Sequence, residues 1–175
     1  MGWEVCMTED FEEVKNLLRH TSEAALGTLE AGRPFVSGTG FVLEGEEKLE
    51  VALLLSDLSR HTRNIKKNPA VSLLVVEENP QSSIHEKVRA TLIGEVKLIT
   101  DQDRFERLKK TYLKQFPRSD IFFSLPDFRF YELKPSEIHW IGGFGKAGTY
   151  AWENGNWKYQ RGGNTPSTDS AIASP

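Results

Sequence analysis

The chain has 175 residues, 27% of which are charged, and a formal net charge of −3. This length fits one domain with a real core, and the acidic balance argues against broad nucleic-acid binding. Its apolar runs are far shorter than the roughly 18 residues of a membrane span, and its acidic N-terminal segment is unlike a secretory signal. Its single cysteine, Cys6, excludes an internal disulfide framework. We therefore expect a soluble cytoplasmic protein.

The first half of the chain is predicted to contain two helices and four strands. Thr8 can cap the first helix, acidic residues fill its first turn, and apolar residues recur at helical spacing. Three strands then alternate with two turn sequences, and a short helix that ends at Asn68-Pro69 precedes the fourth strand. The predicted helices cover 8–20 and 59–67, the strands cover 24–29, 35–43, 49–55 and 70–76, and the turns cover 30–33 and 44–47.

The second half is predicted to contain a long strand, the longest helix and two further strands. The long strand follows a polar loop, and a hairpin can form around Asn154-Gly155. The Gly-, Ser- and Pro-rich tail is predicted to be disordered. The strands cover 88–99, 127–133 and 138–141, the helix covers 101–116, and the units of the chain are a main domain over 1–148, a hairpin over 149–160 and the tail over 161–175.

The order of these elements predicts the fold class. Six or seven strands joined mostly by short turns, with about three peripheral helices, favour a mainly β (α+β) fold with a closed antiparallel sheet over a doubly wound parallel sheet. No strand is followed by GxGxxG or GxxxxGK[ST], so the two common nucleotide-binding loops are absent. The sequence also lacks a CxxCH motif and a metal-spaced His/Asp/Glu cluster, so no metal site is predicted.

The short helix at 59–67 carries the clearest sign of a bound ligand. Residues 58–76 contain no acidic residue but four cations. Arg60 lies in the first turn, where the helix dipole disfavours a cation, whereas an anion would be gripped there by the free backbone donors, by Ser59 and by Arg60. A solvated basic helix with a serine cap explains the same pattern, so the spacing alone leaves both interpretations open.

Several motifs, in chain order, resemble those of the pyridoxamine 5′-phosphate oxidase-like split barrels. The segment from Ser56 to Pro69, with its Ser, His-Thr-x-Asn and Asn-Pro elements, resembles the family's FMN-phosphate segment and is most similar to its heme-utilization branch. Segments 32–41, 88–95 and 141–147 resemble the family's second strand, its central strand and its C-terminal signature. The resemblance implies an antiparallel FMN-binding split β-barrel that forms a homodimer and binds FMN at the dimer interface.

The resemblance also implies cofactor-binding roles for individual residues. One group lies at the FMN phosphate, a second lies along the flavin, and a third approaches from the partner subunit, where glycines permit close backbone contact. The phosphate group comprises Arg60 and His61, with Ser56, Ser59, Thr62 and Asn64 beside them; the flavin group comprises Ser37, Gly38, Thr39 and Arg89; and the third group comprises Gly142, Gly143, Phe144 and Gly145.

The chain departs from true pyridoxamine phosphate oxidases where those enzymes bind their substrate. Its strand at 36–42 lacks their Arg and Lys, Phe128-Arg129-Phe130 stands in place of their Trp-Gly-Gly motif, and their late arginine-rich motif is missing. We therefore expect an FMN-dependent oxidoreductase that acts on a small-molecule redox substrate other than vitamin B6. No catalytic residue is assigned, because the flavin itself would perform the hydride or electron transfer.

Three alternatives remain open. The same barrel could bind or degrade heme, with His139 or His85 as axial ligand; it could hold FMN without catalysis; or it could bind a deazaflavin, whose phosphate would reach the same helix end. His61 is the best functional histidine, because it lies among the anion donors. His139 alternates with apolar neighbours in a strand and is most simply an ordinary core or surface residue.

Overall fold

The computed structural model describes residues 2–143 and 145–160, with side chains described from residue 10 onward. Within these ranges the chain forms three α-helices, eight β-strands and one 3-10 helix. In chain order they are α1 (Gly2–His20), β1 (Glu23–Glu30), β2 (Arg33–Gly45), β3 (Glu50–Ser56), α2 (Arg60–Lys67), β4 (Ala70–Val76), β5 (Val88–Leu98), α3 (Gln102–Gln115), the 3-10 helix (Asp120–Ser124), β6 (Phe128–Gly142), β7 (Ala147–Glu153) and β8 (Asn156–Gln160). The predicted disorder of the tail falls outside the described residues.

Six of the strands close into a barrel, and two extend it. The sheet runs in the order β3-β2-β1-β4-β5-β6-β7-β8, and β3 also pairs with β6, which closes the first six strands on themselves. Every pairing is antiparallel. This arrangement confirms the predicted mainly-β split barrel, with eight strands where six or seven were expected.

The strand β6 corrects one prediction. The separate strands expected at 127–133 and 138–141 form a single strand of 15 residues. Its pairing with β5 shifts register where Pro135 lies opposite Gly94 and Glu137 lies opposite Ile93, so that Ser136 is an extra residue. A bulge tolerates a proline, which cannot donate a ladder hydrogen bond. The strand therefore continues through Pro135, where the sequence pattern suggested that it breaks.

Two predicted turns have the backbone conformation that tight hairpins require. Ala31 and Gly32 between β1 and β2 have φ of 48° and 79°, and Asn154 and Gly155 between β7 and β8 have φ of 52° and 84°. Positive φ at both central residues matches the right-handed twist of the flanking strands. The expected hairpins around these residues are confirmed.

The barrel interior is filled by leucines and aromatic residues from alternating strand positions. Leu26, Leu53, Leu73 and Leu92 are fully buried. The helix α2 closes one end of this core, because its inner face buries Thr62, Asn64 and Ile65. A second cluster lies outside the barrel, where α3 packs Leu108 and Tyr112 against β2 and β6.

The first helix is longer than predicted. It begins at Gly2 rather than at Thr8, since capping is a preference of threonine and does not prevent a helix from continuing through it. Its buried residues Val14, Leu17 and Leu18 join the barrel core. In the described part of the chain, no helix combines the length and apolarity that crossing a membrane requires.

Candidate functional site

The turn between β3 and α2 is held in place by Asp127, which directly precedes β6. Ser56, the last residue of β3, donates its hydroxyl to the Asp127 carboxylate and accepts the backbone N–H of Leu58 at 3.1 Å. The backbone N–H of Asp57 donates to the Asp127 carbonyl at 2.7 Å. Ser56 was predicted to lie beside a phosphate, and its hydroxyl is used to shape the turn that presents α2.

Asp57, in this turn, contacts three side chains that the sequence did not predict as its partners. The Asp57 carboxylate lies 2.9 Å from Lys66 Nζ, 3.1 Å from Arg129 Nε and 3.0 Å from the Tyr131 hydroxyl. Hydrogen bonding to Lys66 is the main reason that the pKa of Asp57 is lowered, and burial together with Asp57 raises the pKa of Tyr131 to about 12. Lys66, one of the four cations in residues 58–76, therefore has an internal partner.

The first turn of α2 offers several unused donors. Ser59 is the N-cap residue, with φ −70° and ψ 148°, yet its side chain makes no capping hydrogen bond, and no acidic residue lies in the first turn. Thr62 is fully buried, and its Oγ1 has no partner within the described part of the chain. Neither α2 nor its cap residue therefore supplies a negative charge or a capping hydrogen bond to the positive end of the helix dipole.

Arg60 is satisfied by a residue from another element. Its Nε donates to both carboxylate oxygens of Glu30 at 3.1 Å, and its Nη2 also donates to Glu30. The guanidinium carbon lies 4.5 Å from the centre of the Phe35 ring. These hydrogen bonds raise the pKa of Arg60 and lower the pKa of Glu30. The predicted phosphate ligand is thus already paired with an internal carboxylate.

His61 and Ser37, predicted to lie in different parts of the cofactor site, are in direct contact. His61 Nδ1 and Ser37 Oγ are 2.9 Å apart. The other ring nitrogen, Nε2, is buried and has no hydrogen-bond partner among the described residues. Burial lowers the pKa of His61, which favours the neutral ring. This pair joins α2 to the inner side of β2.

Asn64 lies away from the first turn of α2. It is buried, and its Nδ2 donates to Thr28 Oγ1 on β1 at 3.0 Å. The amide therefore fixes α2 against β1. To lie beside a phosphate, as the resemblance implied, Asn64 would have to lose its hydrogen bond to Thr28.

A broad outer face of the sheet lies on the opposite side of β2 from the Ser37–His61 pair. Directly paired residues of antiparallel strands share a face, and two paired rows cross five strands here. We call the surface formed by these rows the open face; its rows are Gly38–Ala25–Leu74–Thr91–His139 and Val36–Gly27–Ser72–Ile93–Glu137. Val36, Leu74 and Ile93 are 64%, 37% and 39% exposed, so the face presents apolar side chains to solvent.

A cleft of about 910 Å³ borders the open face beside β2. Gly38 and Thr39 line it, together with Leu74, Lys87 and Phe116. A Cβ added at Gly38 would meet no atom within 4 Å, so this glycine leaves space on the surface rather than inside the protein. Two of the predicted flavin-contacting residues therefore lie at a real concavity.

His139 lies at the end of the first row of the open face. Its Nδ1 is 3.2 Å from Thr149 Oγ1, and the side chain is exposed. The other nitrogen, Nε2, is bonded to none of the described residues. The imidazole is therefore held by one nitrogen and free at the other. His85, the second predicted heme ligand, is exposed in the loop between β4 and β5.

Arg89 and the glycine-rich turn after β6 lie at one end of the open face. Arg89 precedes Thr91 by two residues on β5 and so shares its face, and its guanidinium donates to the carbonyls of Ile84 and Lys87. Val88 pairs with Gly142, which brings the turn beside this loop. A Cβ at Gly143, which has φ 92°, would approach the Glu86 carbonyl to 3.0 Å.

The remaining glycine-turn residues are only partly described. Gly145 has φ 81°, and a Cβ there would meet nothing within 4 Å. Phe144, the third predicted residue of this turn, lies outside the described residues. Among the residues that are described, no group of three or more His, Cys, Asp or Glu side chains could hold a metal ion.

The predicted residues thus fall into two groups separated by β2. Arg60, His61 and Ser37 lie at the end of α2, whereas Gly38 and Arg89 belong to the open face. Sequence reasoning missed the partners of the first group, which are Glu30 and Phe35. No local signal identifies them, because they reach α2 only through the register of the β1–β2 hairpin.

Comparisons with known proteins agree with this architecture. The family model described as "CREG, beta-barrel" matches residues 8–154. The heme oxygenase HutZ of Vibrio cholerae serotype O1 is 27% identical over 139 residues, which are 77% of each chain.

Solved structures share the fold. A heme binding protein from Mycobacterium smegmatis superposes with a TM-score of 0.74 at 24% identity, over 81% of this chain and 57% of that protein. A protein of the pyridoxinephosphate oxidase family from Clostridium acetobutylicum superposes with a TM-score of 0.64 at 18% identity, over 82% of this chain and 94% of its own. This chain spans little more than half the length of the mycobacterial protein.

Proposed function

The chain belongs to the CREG β-barrel family, and on that premise we propose that it binds heme on the open face, between two copies of the chain. One observation carries the proposal: His139 stands exposed at the end of a row of small and apolar residues, with Nδ1 held by Thr149 and Nε2 free. The similarity to HutZ, named a heme oxygenase, supports the choice of ligand.

The residues of the open face fit the chemistry of heme. Heme is a flat apolar ring with two carboxylates, and it needs an apolar platform, an axial ligand and nearby cations. Leu74, Thr91 and Ile93 provide the platform, and His139 provides the imidazole. Arg89 provides positive charge at the end of the same face. Bound heme would supply electron transfer or oxygen chemistry, which the protein tunes through the axial ligand and its surroundings.

Thr149 would act as a positioning residue for this ligand. Iron-ligating histidines usually have their second nitrogen hydrogen-bonded, which fixes the orientation of the ring. Thr149 Oγ1 lies 3.2 Å from Nδ1 and can accept its N–H. This contact leaves Nε2 as the nitrogen that faces iron.

The homodimer is part of the same proposal. Exposed apolar patches on soluble domains mark interaction sites, and the open face carries Val36, Leu74 and Ile93 at 37–64% exposure. A single open face covers only one side of a heme. A second copy seated on it would cover the other side and exclude water. A cytoplasmic location remains part of this proposal.

A heme titration tests the proposal. We expect a Soret band to develop on addition of hemin and to saturate, and His139→Ala to weaken binding at least about tenfold. His85→Ala, which removes an exposed loop imidazole, is the matched control and should leave the titration unchanged. Incubation of the heme-loaded protein with ascorbate then separates a degrading enzyme, whose Soret band decays, from a carrier, whose band persists.

The end of α2 favours a second candidate, an FMN-binding redox protein acting on a small molecule other than vitamin B6. Ser59 makes no capping bond, and buried donor or acceptor atoms of His61 and Thr62 lack partners among the described side chains. FMN or a deazaflavin would bring a phosphate to these groups and would supply hydride or electron transfer. The fit is incomplete, because Arg60 is paired with Glu30 and Asn64 with Thr28.

Equilibrium dialysis with FMN tests this second candidate. Retention of FMN and its loss in Ser59→Ala would support a phosphate at α2. A protein that binds hemin but retains no FMN would leave heme as the function.

A further inference from the structure

The guanidinium of Arg60 is exposed and is contacted by two residues of the β1–β2 hairpin. Glu30, the last residue of β1, accepts hydrogen bonds from Nε and Nη2, which form one edge of the guanidinium. Phe35 on β2 lies against its face, 4.5 Å from the guanidinium carbon. The edge that is best suited to bind a two-oxygen anion is therefore occupied.

A phosphate would compete for this edge. Arginine binds phosphates and carboxylates through the same pair of parallel N–H···O bonds, so Glu30 and a phosphate oxygen pair cannot both hold Nε and Nη2. A phosphomonoester also carries nearly two negative charges, and a carboxylate a few ångströms away repels it.

We propose that Glu30 is an internal anion that takes the phosphate position at the end of α2 and thereby selects against phosphorylated ligands. The inference rests on one part of the second candidate function, that this helix end can accept a phosphate, and it predicts that the unmodified protein accepts one weakly. Glu30 is then a specificity-determining residue.

The charges around Glu30 support this role. After Arg60, the positive charges of Lys67 and Arg63 also lower the pKa of Glu30, so the carboxylate stays ionised in the field of α2. The helix contributes no acid of its own to its first turn. Glu30 reaches the helix end from 30 residues earlier in the chain, and it supplies the negative charge that the helix lacks.

The experiment compares FMN with riboflavin, which has the same ring and no phosphate. Affinities are measured by flavin fluorescence for the full chain and three variants: Glu30→Gln, Glu30→Asp and Glu30→Gln with Arg60→Gln. We expect Glu30→Gln to bind FMN on the order of tenfold more tightly than the unmodified protein, the scale of one like charge near a dianion in water. Riboflavin affinity should not change, and the gain should shrink as salt rises.

The two other variants control for charge and for the arginine. Glu30→Asp keeps the carboxylate and should show no gain, whereas the double variant removes the arginine and should lose the gain. Thermal melting of all four proteins checks that each is folded. An equal gain for riboflavin would overturn the inference, because the phosphate would then play no part.

The remaining outcomes separate this inference from the function on which it rests. If the unmodified protein and Glu30→Gln bind FMN with the same measurable affinity, Glu30 does not select against phosphate, and the α2 site stands. If neither protein binds FMN, both the inference and the α2 phosphate site are wrong.

Discussion

The side chains of Ser37 and His61 join β2 to α2 through a contact of 2.9 Å between Oγ and Nδ1. Because the second ring nitrogen of His61 is buried and unpartnered among the described residues, this contact is the hydrogen bond that the ring makes inside the fold. It closes the end of the barrel beneath Arg60.

Removing this contact should destabilise the protein modestly. Ser37→Ala leaves a half-buried imidazole nitrogen without its partner, and we expect a loss of about 1 kcal/mol in the free energy of unfolding. Urea unfolding measures the change. Ser72→Ala, on the open face, is the control and should lie within about 0.5 kcal/mol of the unmodified protein. Equal effects of the two substitutions would contradict the role given to the contact.

The half-buried ring of His61 predicts that stability depends on pH. Burial lowers the pKa of His61 in the folded state, so the unfolded state takes up the proton first as pH falls. The contribution of the neutral His61 ring to the free energy of unfolding is constant above the unfolded-state pKa of roughly 6.5. It is lost progressively as the pH falls below that value.

Unfolding measured between pH 7.5 and 5.5 should therefore show a stability loss that His61→Gln reduces. A profile that is the same in His61→Gln and in the unmodified protein would show that His61 does not carry the effect.

Asn64 and Thr28 should be energetically coupled. Their hydrogen bond of 3.0 Å is buried between α2 and β1. Asn64→Ala should cost about 0.5–1.5 kcal/mol of stability, because it removes one buried hydrogen bond, while the Thr28 hydroxyl keeps its bond to the Phe35 carbonyl at 3.4 Å. A double-mutant cycle with Thr28→Val measures the coupling. Additive effects would mean that the two side chains act separately.

The bulge in β6 requires a glycine opposite it. A Cβ at Gly94 would lie 2.1 Å from the Lys134 carbonyl oxygen and 2.8 Å from Pro135 Cα. Gly94→Ala should destabilise the protein by about 2–3 kcal/mol. Gly38→Ala is the matched control, because its Cβ would meet nothing within 4 Å. Thermal unfolding compares the two variants, and similar melting temperatures would contradict the packing seen at Gly94.

Local signals in the sequence predict most of the barrel. The strand at 70–76 follows Asn68-Pro69 and has the predicted bounds, and the turns at Ala31-Gly32 and Asn154-Gly155 follow from residues that accept positive φ. The main error in the sheet lies at Pro135. A proline usually ends a strand, and its tolerance here depends on Gly94 of the neighbouring strand, which no local pattern reveals.

The site is less predictable, for the same reason. The resemblance led to Arg60, His61 and Ser37, which do lie together. It did not lead to Glu30, which reaches α2 from the β1–β2 hairpin. It also did not lead to the Asp57 cluster, which depends on the pairing of β3 with β6, two strands distant in sequence. His139 was expected to be an ordinary strand residue, with heme ligation as the alternative. Its position at the end of a row of small and apolar residues emerges only from the pairing of five strands.

A crystal structure of the protein grown with hemin would show whether the open face holds heme. We expect a coordination bond between iron and Nε2 of His139, with the ring over Leu74 and Thr91 and a second copy of the chain covering it. Heme bound elsewhere, or iron ligated by another residue while the His139 imidazole faces solvent, would contradict this expectation.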